Sequence, residues 1–216
     1  MRYGLGRALV NALALAALLC GFNANPGFAA EIRLLALGDS LTAGLGLPEE
    51  QGFTRQLERA LRAKGLEVRV LNAGVSGDTT AGGLKRLDWA LGDKPDAAIV
   101  ELGANDMLRG LEPDWAKANL DAILAKLKKR GVKTLLAGMV SAPNYGAEYA
   151  VKFNAIYPAL ARQHGVALYP FFLDGAAGNL SMLQPDGLHP NAGGVAAMVE
   201  RILPFVERLL SGAKAG

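Results

Sequence analysis

The sequence predicts an α/β fold, a doubly wound, mainly parallel sheet of about five strands with helices on both faces. Short apolar runs alternate along the chain with longer stretches of helical character. The runs hold nearly continuous aliphatic side chains, as expected for strands that are buried on both faces. Three of the helical stretches end in a cationic residue followed by glycine, which is a common helix stop. This alternation is typical of parallel strands that are joined by crossover helices.

The predicted elements follow from these runs in chain order. The strands cover residues 32–37, 68–71, 97–102, 132–140 and 166–169, of which the last is short and gives the weakest signal. Helices are predicted between the strands and after the last of them, at residues 53–63, 80–91, 113–130, 148–163 and 192–210. Lys64, Arg130 and His164 each precede a glycine at a predicted helix end. We find no internal repeat and no linker, so a single folded domain is expected.

The amino terminus has the three parts of a secretory signal peptide. A basic start precedes an almost wholly apolar run at residues 8–19, which is too short to span a bilayer, and small residues follow. Cleavage after Ala29 fits the small-residue pattern best, and cleavage after Ala30 is the alternative. We therefore expect residues 1–29 to be a signal peptide, residues 30–216 to form the folded domain, and the protein to be periplasmic or secreted. The competing interpretation is a buried first helix.

Composition argues against several kinds of site. The chain has 23 Lys and Arg against 20 Asp and Glu, and two arginines lie in the predicted signal peptide, so no basic surface for nucleic acid is expected. The single cysteine, Cys20, lies in the same segment. The mature chain can therefore hold neither a thiol nucleophile nor a cysteine-based zinc site. The two histidines, His164 and His189, are far apart in the sequence, and we expect no metal and no cofactor.

Polar segments follow three of the predicted strands. Ser40 comes after the first strand, residues 74–78 after the second and residues 103–106 after the third, while residues 186–189 precede the last helix. In an open α/β sheet, ligands bind outside the carboxyl ends of the strands. We therefore expect these four segments to meet at one edge of the sheet.

Ser40 is the candidate nucleophile, and a serine hydroxyl needs a neighbouring base. The proline after His189 steers this histidine into a loop, where Asp186 is close enough to orient the imidazole and stabilise its charged form. Alternatively, the segment around Asp186 forms only a turn. We expect His164 to be a solvated helix cap. Ser76 is the weaker candidate for the nucleophile.

An acyl-transfer enzyme also needs hydrogen-bond donors for the oxyanion that develops during the reaction. The candidates are the backbone N–H groups of Ser40 and Gly77 and the side-chain amide of Asn105. Gly77 has no Cβ, which allows close backbone approach. Asn105 could instead form a turn after its strand. Asp39, beside the candidate nucleophile, is expected to hydrogen-bond the loop rather than to take part in the chemistry.

Together these segments resemble the four sequence blocks of the SGNH (GDSL-type) hydrolases. The blocks are Gly38-Asp39-Ser40-Leu41, Gly77 within Val75-Ser76-Gly77-Asp78, Gly103-Ala104-Asn105-Asp106 and Asp186-Gly187-Leu188-His189. Further segments are similar to the bacterial periplasmic branch called arylesterase, thioesterase I or lysophospholipase L1, at residues 100–103, 108–110, 143–146, 156–158 and 170–172. The resemblance implies a catalytic triad of Ser40, Asp186 and His189, and an oxyanion hole of Ser40, Gly77 and Asn105. Ala104 stands where the family pattern has glycine.

The resemblance also implies broad esterase activity through an acyl-enzyme intermediate. The expected partner is a small acyl ester, thioester or lysophospholipid substrate, without nucleic acid and without stable membrane insertion. The Gly-x-Ser-x-Gly motif of α/β-hydrolases is absent around Ser40 and Ser76. Two alternatives remain, a carbohydrate acetylesterase and a non-catalytic periplasmic ligand-binding protein on the same scaffold. The sequence leaves open the physiological substrate, the preferred acyl-chain length and the oligomeric state.

Overall fold

The computed structural model describes residues 31–211, and a five-stranded parallel sheet forms its centre. The strands are β1 (Ile32–Gly38), β2 (Val68–Gly74), β3 (Ala97–Glu101), β4 (Lys133–Ala137) and β5 (Ala167–Tyr169). They lie in the order β2-β1-β3-β4-β5, which confirms the predicted α/β fold. The predicted signal peptide, residues 1–29, and both candidate cleavage sites lie outside the described residues.

Helices cover the two faces of the sheet. In the described part of the chain they are α1 (Ser40–Ala43), α2 (Phe53–Ala63), α3 (Thr80–Ala90), α4 (Ala104–Leu108), α5 (Pro113–Lys129), α6 (Ala147–His164) and α7 (Ala192–Ser211). Short 3-10 turns lie at Glu49–Gln51, Leu91–Asp93, Pro143–Tyr145 and Leu180–Met182. α2 packs against α7, while α5 packs against both α3 and α6. The helices thus form two layers, as right-handed crossovers between parallel strands produce. Between residues 31 and 211, no helix is both long enough and apolar enough to cross a bilayer.

The central strands β1 and β3 form the middle of the core. β3 is buried at every residue, and β1 at every residue except Arg33. Aliphatic side chains of the flanking helices complete the core, among them Leu57, Leu124, Leu160 and Val206, each at most 1% exposed. Burial of each such side chain contributes about 1.5–3 kcal/mol relative to its exposure to water. The buried sheet therefore fixes the positions from which the loops at its edge begin.

The prediction that the second strand is buried on both faces is wrong. In the described structure β2 pairs with β1 alone and is an edge strand. Its burial alternates at the start, with Val68 and Val70 buried and Arg69 exposed, because one face of this edge strand meets water. β2 also extends beyond the predicted end at residue 71 to Gly74.

Two further differences concern the carboxyl ends of strands. β4 ends at Ala137, before the predicted end at residue 140, and Val140 is half exposed in the following loop. The helices α1 and α4 were not predicted, because four and five residues are too few to show a helical period. Each begins just beyond the end of β1 or β3 and so places its residues at the edge of the sheet.

Candidate active site

The candidate residues meet where the strand order reverses. β2 and β3 lie on opposite sides of β1, so the connections that follow β1 and β3 diverge and leave a crevice between them. Ser40 begins α1 after β1, and Asn105 lies in α4 after β3. Gly77 comes from the loop after β2, and His189 from the loop before α7. All four line one cavity of about 420 Å³, so the predicted convergence is confirmed.

A helix of one turn places the Ser40 side chain. Asp39 caps α1, because its Oδ1 accepts the Leu41 N–H at 3.0 Å. Gly44 follows the helix with a φ of +81°. Ser40 itself is 9% exposed, and its Oγ lies 2.8 Å from His189 Nε2. At this distance the hydroxyl can donate its hydrogen to the imidazole.

Asp186 holds the opposite side of the imidazole. Its Oδ2 lies 2.6 Å from His189 Nδ1, and its Oδ1 accepts the backbone N–H groups of Leu188 at 2.9 Å and His189 at 3.0 Å. Gly187, with a φ of +69°, permits this tight loop. The two backbone hydrogen bonds, that of His189 first, lower the pKa of Asp186 from 3.8 to about 2. An ionised carboxylate can only accept, so Nδ1 carries the hydrogen and Nε2 keeps a lone pair that can accept the Ser40 hydroxyl hydrogen.

Gln184 holds the loop that carries His189 in place, and the sequence patterns did not mark Gln184 as a candidate. Its backbone N–H donates to the His189 carbonyl at 2.7 Å. Its side-chain amide donates to the carbonyls of Leu45 at 2.8 Å and Pro190 at 3.0 Å. Leu45 directly follows the segment that carries Ser40, so Gln184 ties the two halves of the site together. No local sequence pattern could have shown this contact, because Gln184 and Leu45 are far apart in the sequence.

Asn105 reaches across the crevice to Asp39. Its Nδ2 donates to Asp39 Oδ2 at 3.0 Å, which leaves the second hydrogen of that nitrogen for a ligand. Asp39 is 1% exposed, and burial raises its pKa to about 6. The Leu41 N–H, the nearby His189 and the Asn105 amide oppose that rise. The expectation that Asp39 hydrogen-bonds the loop is confirmed.

Gly77 has the left-handed backbone conformation that other residues avoid, with a φ of +83°. A Cβ at this position would come no closer than 3.7 Å to Arg109 Nη2, so the conformation rather than crowding requires the glycine. Arg109 Nη2 donates to the Gly77 carbonyl at 2.6 Å. Within residues 31–211 the Gly77 N–H donates to no protein acceptor, so a ligand can accept it.

Arg86, on α3, is a second residue that the sequence did not single out. Its guanidinium donates to the carbonyls of Ala73 at 2.7 Å and Gly38 at 2.8 Å. Ala73 is the penultimate residue of β2, and Gly38 is the last residue of β1. It also pairs with Asp78 Oδ2 at 2.5 Å. One cation thus holds together the strand end that leads to Ser40 and the loop that carries Gly77.

Apolar side chains make up most of the cavity wall. The rim holds four aliphatic residues that are 46–56% exposed, Leu45, Leu108, Val140 and Leu188. Leu41, Met107 and Met139 are buried further in. A cavity with apolar walls and a few convergent polar groups suits an apolar ligand that is joined to a polar reacting centre.

Other candidates from the sequence lie outside this cavity. Ser76 is exposed and does not line it. His164 ends α6 as expected, but the prediction that it is solvated is wrong. Its side chain is 9% exposed, and its Nε2 pairs with Asp121 Oδ1 of α5 at 2.6 Å, because α5 and α6 pack closely here. A larger cavity of about 570 Å³ lies beside β5, and its lining contains neither serine nor histidine.

The sequence model of one protein family matches most of the chain. It is the GDSL-like lipase/acylhydrolase family, and the match covers residues 36–197. That range includes the four segments that meet at the cavity.

This chain is similar to several known proteins over most of their length. The chain is 43% identical over 183 residues to esterase TesA of Pseudomonas aeruginosa, covering 84% of this chain and 91% of that protein. It is 39% identical over 164 residues to thioesterase 1/protease 1/lysophospholipase L1 of Escherichia coli K12, covering 76% and 77%. The solved structure of the psychrotrophic esterase EstA from Pseudoalteromonas, inhibited by monoethylphosphonate, matches with a TM-score of 0.79. It is 31% identical and covers 84% of this chain and 100% of that one.

Proposed function

The chain belongs to the GDSL-like lipase/acylhydrolase family of hydrolases, and from that membership we propose that it is a serine esterase of broad acyl specificity. Ser40 is the nucleophile, His189 is the base, and Asp186 orients the base. One observation carries the proposal, the continuous series of contacts from Ser40 Oγ through both ring nitrogens of His189 to Asp186, at 2.8 and 2.6 Å.

The reaction follows from these contacts. Ser40 Oγ attacks the carbonyl carbon of the substrate while His189 Nε2 takes the hydroxyl proton. The imidazolium that forms is stabilised by the charged Asp186, and it then gives the proton to the departing alcohol or thiol. The product is an acyl-serine enzyme. Water repeats the sequence with the same base, releases the acid and restores the Ser40 hydroxyl.

The oxyanion of each tetrahedral intermediate is held by three donors. These are the backbone N–H groups of Ser40 and Gly77 and the remaining amide hydrogen of Asn105. Fixed donors lower the barrier because the negative charge on the oxygen develops only in the transition state. The Asp39 contact supports this role for Asn105, since it fixes the amide before the substrate arrives.

The cavity supports an acyl or aryl group as the part of the substrate that is bound. Its apolar wall offers little to the hydroxyl groups of a sugar, which disfavours the carbohydrate acetylesterase alternative. Relatives named esterase, arylesterase and thioesterase 1/lysophospholipase L1 point to aryl esters, acyl thioesters and lysophospholipids. We infer that this chain hydrolyses the same three classes of substrate.

Turnover of p-nitrophenyl acetate and of an acyl thioester tests the proposal. Ser40→Ala should abolish both activities, because Ser40 carries the one hydroxyl, and there is no thiol, among the described residues that line the cavity. Ser76→Ala is the matched control, since this exposed serine lies outside the cavity, and it should keep wild-type rates. A Ser40→Ala variant that retained turnover would remove the assigned nucleophile. A wild-type protein without turnover would favour the non-catalytic ligand-binding alternative.

We also propose that the enzyme is exported. Residues 1–29 would be the cleaved signal peptide and residues 30–216 the hydrolase domain, which places the mature enzyme in the periplasm or outside the cell. The basic, apolar and small-residue order of the amino terminus supports this assignment.

A further inference from the structure

A buried carboxyl group, Glu101, lies beneath the proposed active site. It is the last residue of β3, and its exposure is 0%. Its Oε2 accepts hydrogen bonds from the Thr42 hydroxyl at 2.8 Å and from the Asp39 N–H at 3.3 Å. Its Oε1 is buried and accepts no hydrogen bond from residues 31–211. Burying an ionisable group costs free energy, and the reaction described above gives Glu101 no role.

Asp39 is a second buried carboxyl group, and its own backbone N–H binds Glu101 Oε2, which brings the two side chains within hydrogen-bonding reach. Two carboxylates in one buried place repel each other, so the pair keeps one proton at neutral pH. Burial, and then the charge of Asp39, raise the pKa of Glu101 well above its ordinary value. Burial raises the pKa of Asp39 only to about 6, because the Leu41 N–H and the Asn105 amide stabilise its charge. Both carboxylate oxygens of Asp39 already accept a hydrogen bond, from the Leu41 N–H and the Asn105 amide, whereas Glu101 Oε1 accepts none. The shared proton therefore belongs to Glu101.

The position of that proton follows from the hydrogen bonds. Because Oε2 already accepts two hydrogen bonds, the proton of a neutral Glu101 lies on Oε1. The neighbouring acceptor for it is the Asp39 carboxylate, whose Oδ2 also accepts the Asn105 amide at 3.0 Å. We propose that Glu101 is a positioning residue, a neutral acid that donates to Asp39 and so holds Asn105 in place for the oxyanion. This inference rests on the proposed function, since Asn105 meets an oxyanion only in an esterase.

The other titratable groups around the pair come from several elements. Tyr157 on α6 and His189 before α7 lie near the pair itself, while Asp106 on α4 acts on Tyr157 and Arg86 on α3 binds the Gly38 carbonyl next to Asp39. Burial raises the pKa of Tyr157 well above its ordinary value, so this phenol stays neutral and donates to the Leu102 carbonyl at 3.0 Å. Asp39 remains the charged group that Glu101 contacts directly.

Substitution of Glu101 tests the inference through kcat. Glu101→Gln keeps a neutral donor and acceptor of the same shape, so kcat for p-nitrophenyl acetate should stay within about twofold of the wild-type value. Glu101→Leu removes the donor, and kcat should fall about 10- to 100-fold with little change in KM, as expected for a lost hydrogen bond to a charged group. Glu58→Gln is the matched control, because Glu58 on α2 accepts the Val70 N–H far from the cavity. Its kinetics should be unchanged.

A double variant separates positioning from a general effect on folding. Since Glu101 acts through Asn105, Glu101→Leu should cost little further kcat in an Asn105→Ala background. Equal losses in the two backgrounds would overturn the inference. So would a Glu101→Gln variant that is as impaired as Glu101→Leu.

Infrared spectroscopy gives a readout that needs neither activity nor the leucine variant. At neutral pH the wild-type protein should show the carbonyl band of a buried protonated carboxylic acid, and Glu101→Gln should lack it. A wild-type spectrum without this band overturns the inference, even where Glu101→Leu does not fold. Failure of the proposed function would give a different result, because the Ser40→Ala variant would then retain turnover. The infrared band would still report the protonation state of Glu101 in that case.

Discussion

Asp186 is a carboxylate whose charge is maintained by its own loop. Its side chain is 45% exposed, so burial does not control its pKa. The backbone N–H groups of His189 and Leu188 are the main causes that lower this pKa to about 2, and the imidazole contact comes after them. The carboxylate that we propose orients His189 is therefore charged before any substrate binds.

A variant without the imidazole tests this order of causes. In His189→Ala the two backbone donors remain, so the pKa of Asp186 should stay well below 3.8. Titration of the Asp186 carboxyl carbon by NMR measures it directly. A return to the ordinary value would show that the imidazole, and not the loop, maintains the charge.

The dependence of stability on pH has a definite sign. The pKa of Asp186 is lower in the folded protein than its ordinary value of 3.8, so its charge favours the folded state above that pH. This contribution is lost as the pH falls towards 2. Mild acidification therefore leaves Asp186 charged. A loss of activity in mildly acidic solution would arise from the protonation of another group. Asp39 is one candidate, since burial raises its pKa to about 6.

At the scale of elements, the junction of β1 and α1 sets the direction of the Ser40 side chain, the proposed nucleophile. Arg86 of α3 binds the carbonyl of Gly38, the last residue of β1. The space beside Gly38 is filled by the side chains of Thr42 and Glu101, both of which a Cβ would overlap. The glycine is required because α1 turns back directly over the strand end.

Gly38→Ala should therefore destabilise the fold, by about 1–3 kcal/mol in the free energy of unfolding, the usual cost of overpacking a tight site. Gly92→Ala is the control, because a Cβ there meets nothing within 4 Å, and its effect should stay within about 0.5 kcal/mol. Urea denaturation of both variants measures the difference. If the two unfolded with the same free energy, the packing described for this junction would be wrong.

For the whole molecule, the sequence predicted the sheet well because its signal is local. Aliphatic runs identified all five strands, and strand ends carry ligand-binding segments in this fold class, so Ser40, Gly77, Asn105, Asp186 and His189 could be placed at one edge. The edge position of β2 was missed, because the order of strands depends on contacts between distant segments.

The supporting residues were harder to find for the same reason. The partners of Gln184 and Arg86 are backbone carbonyls of segments far along the chain, which no motif reports. Glu101 did leave a signal, a single charged residue within the apolar run 97–102. Charged residues are rarely buried without a partner, so this position could have been marked as a candidate.

The proposed signal peptide predicts where the mature chain begins. The protein isolated from its native host should begin at Ala30 or Glu31, because the small residues before these positions suit signal peptidase. Intact mass spectrometry of the exported protein measures this. A soluble cytosolic protein that retained residues 1–29 as its only form would contradict the signal peptide.

The central claim is that Ser40 forms the covalent intermediate, and active-site labelling tests it most directly. A fluorophosphonate probe reacts with a serine that a neighbouring base activates, and the 2.8 Å contact with His189 Nε2 gives Ser40 that base. Peptide mapping of the labelled enzyme should find one adduct per chain, on Ser40, and none after Ser40→Ala. An adduct on Ser76, or no adduct on an enzyme that still turns over esters, would contradict the assignment.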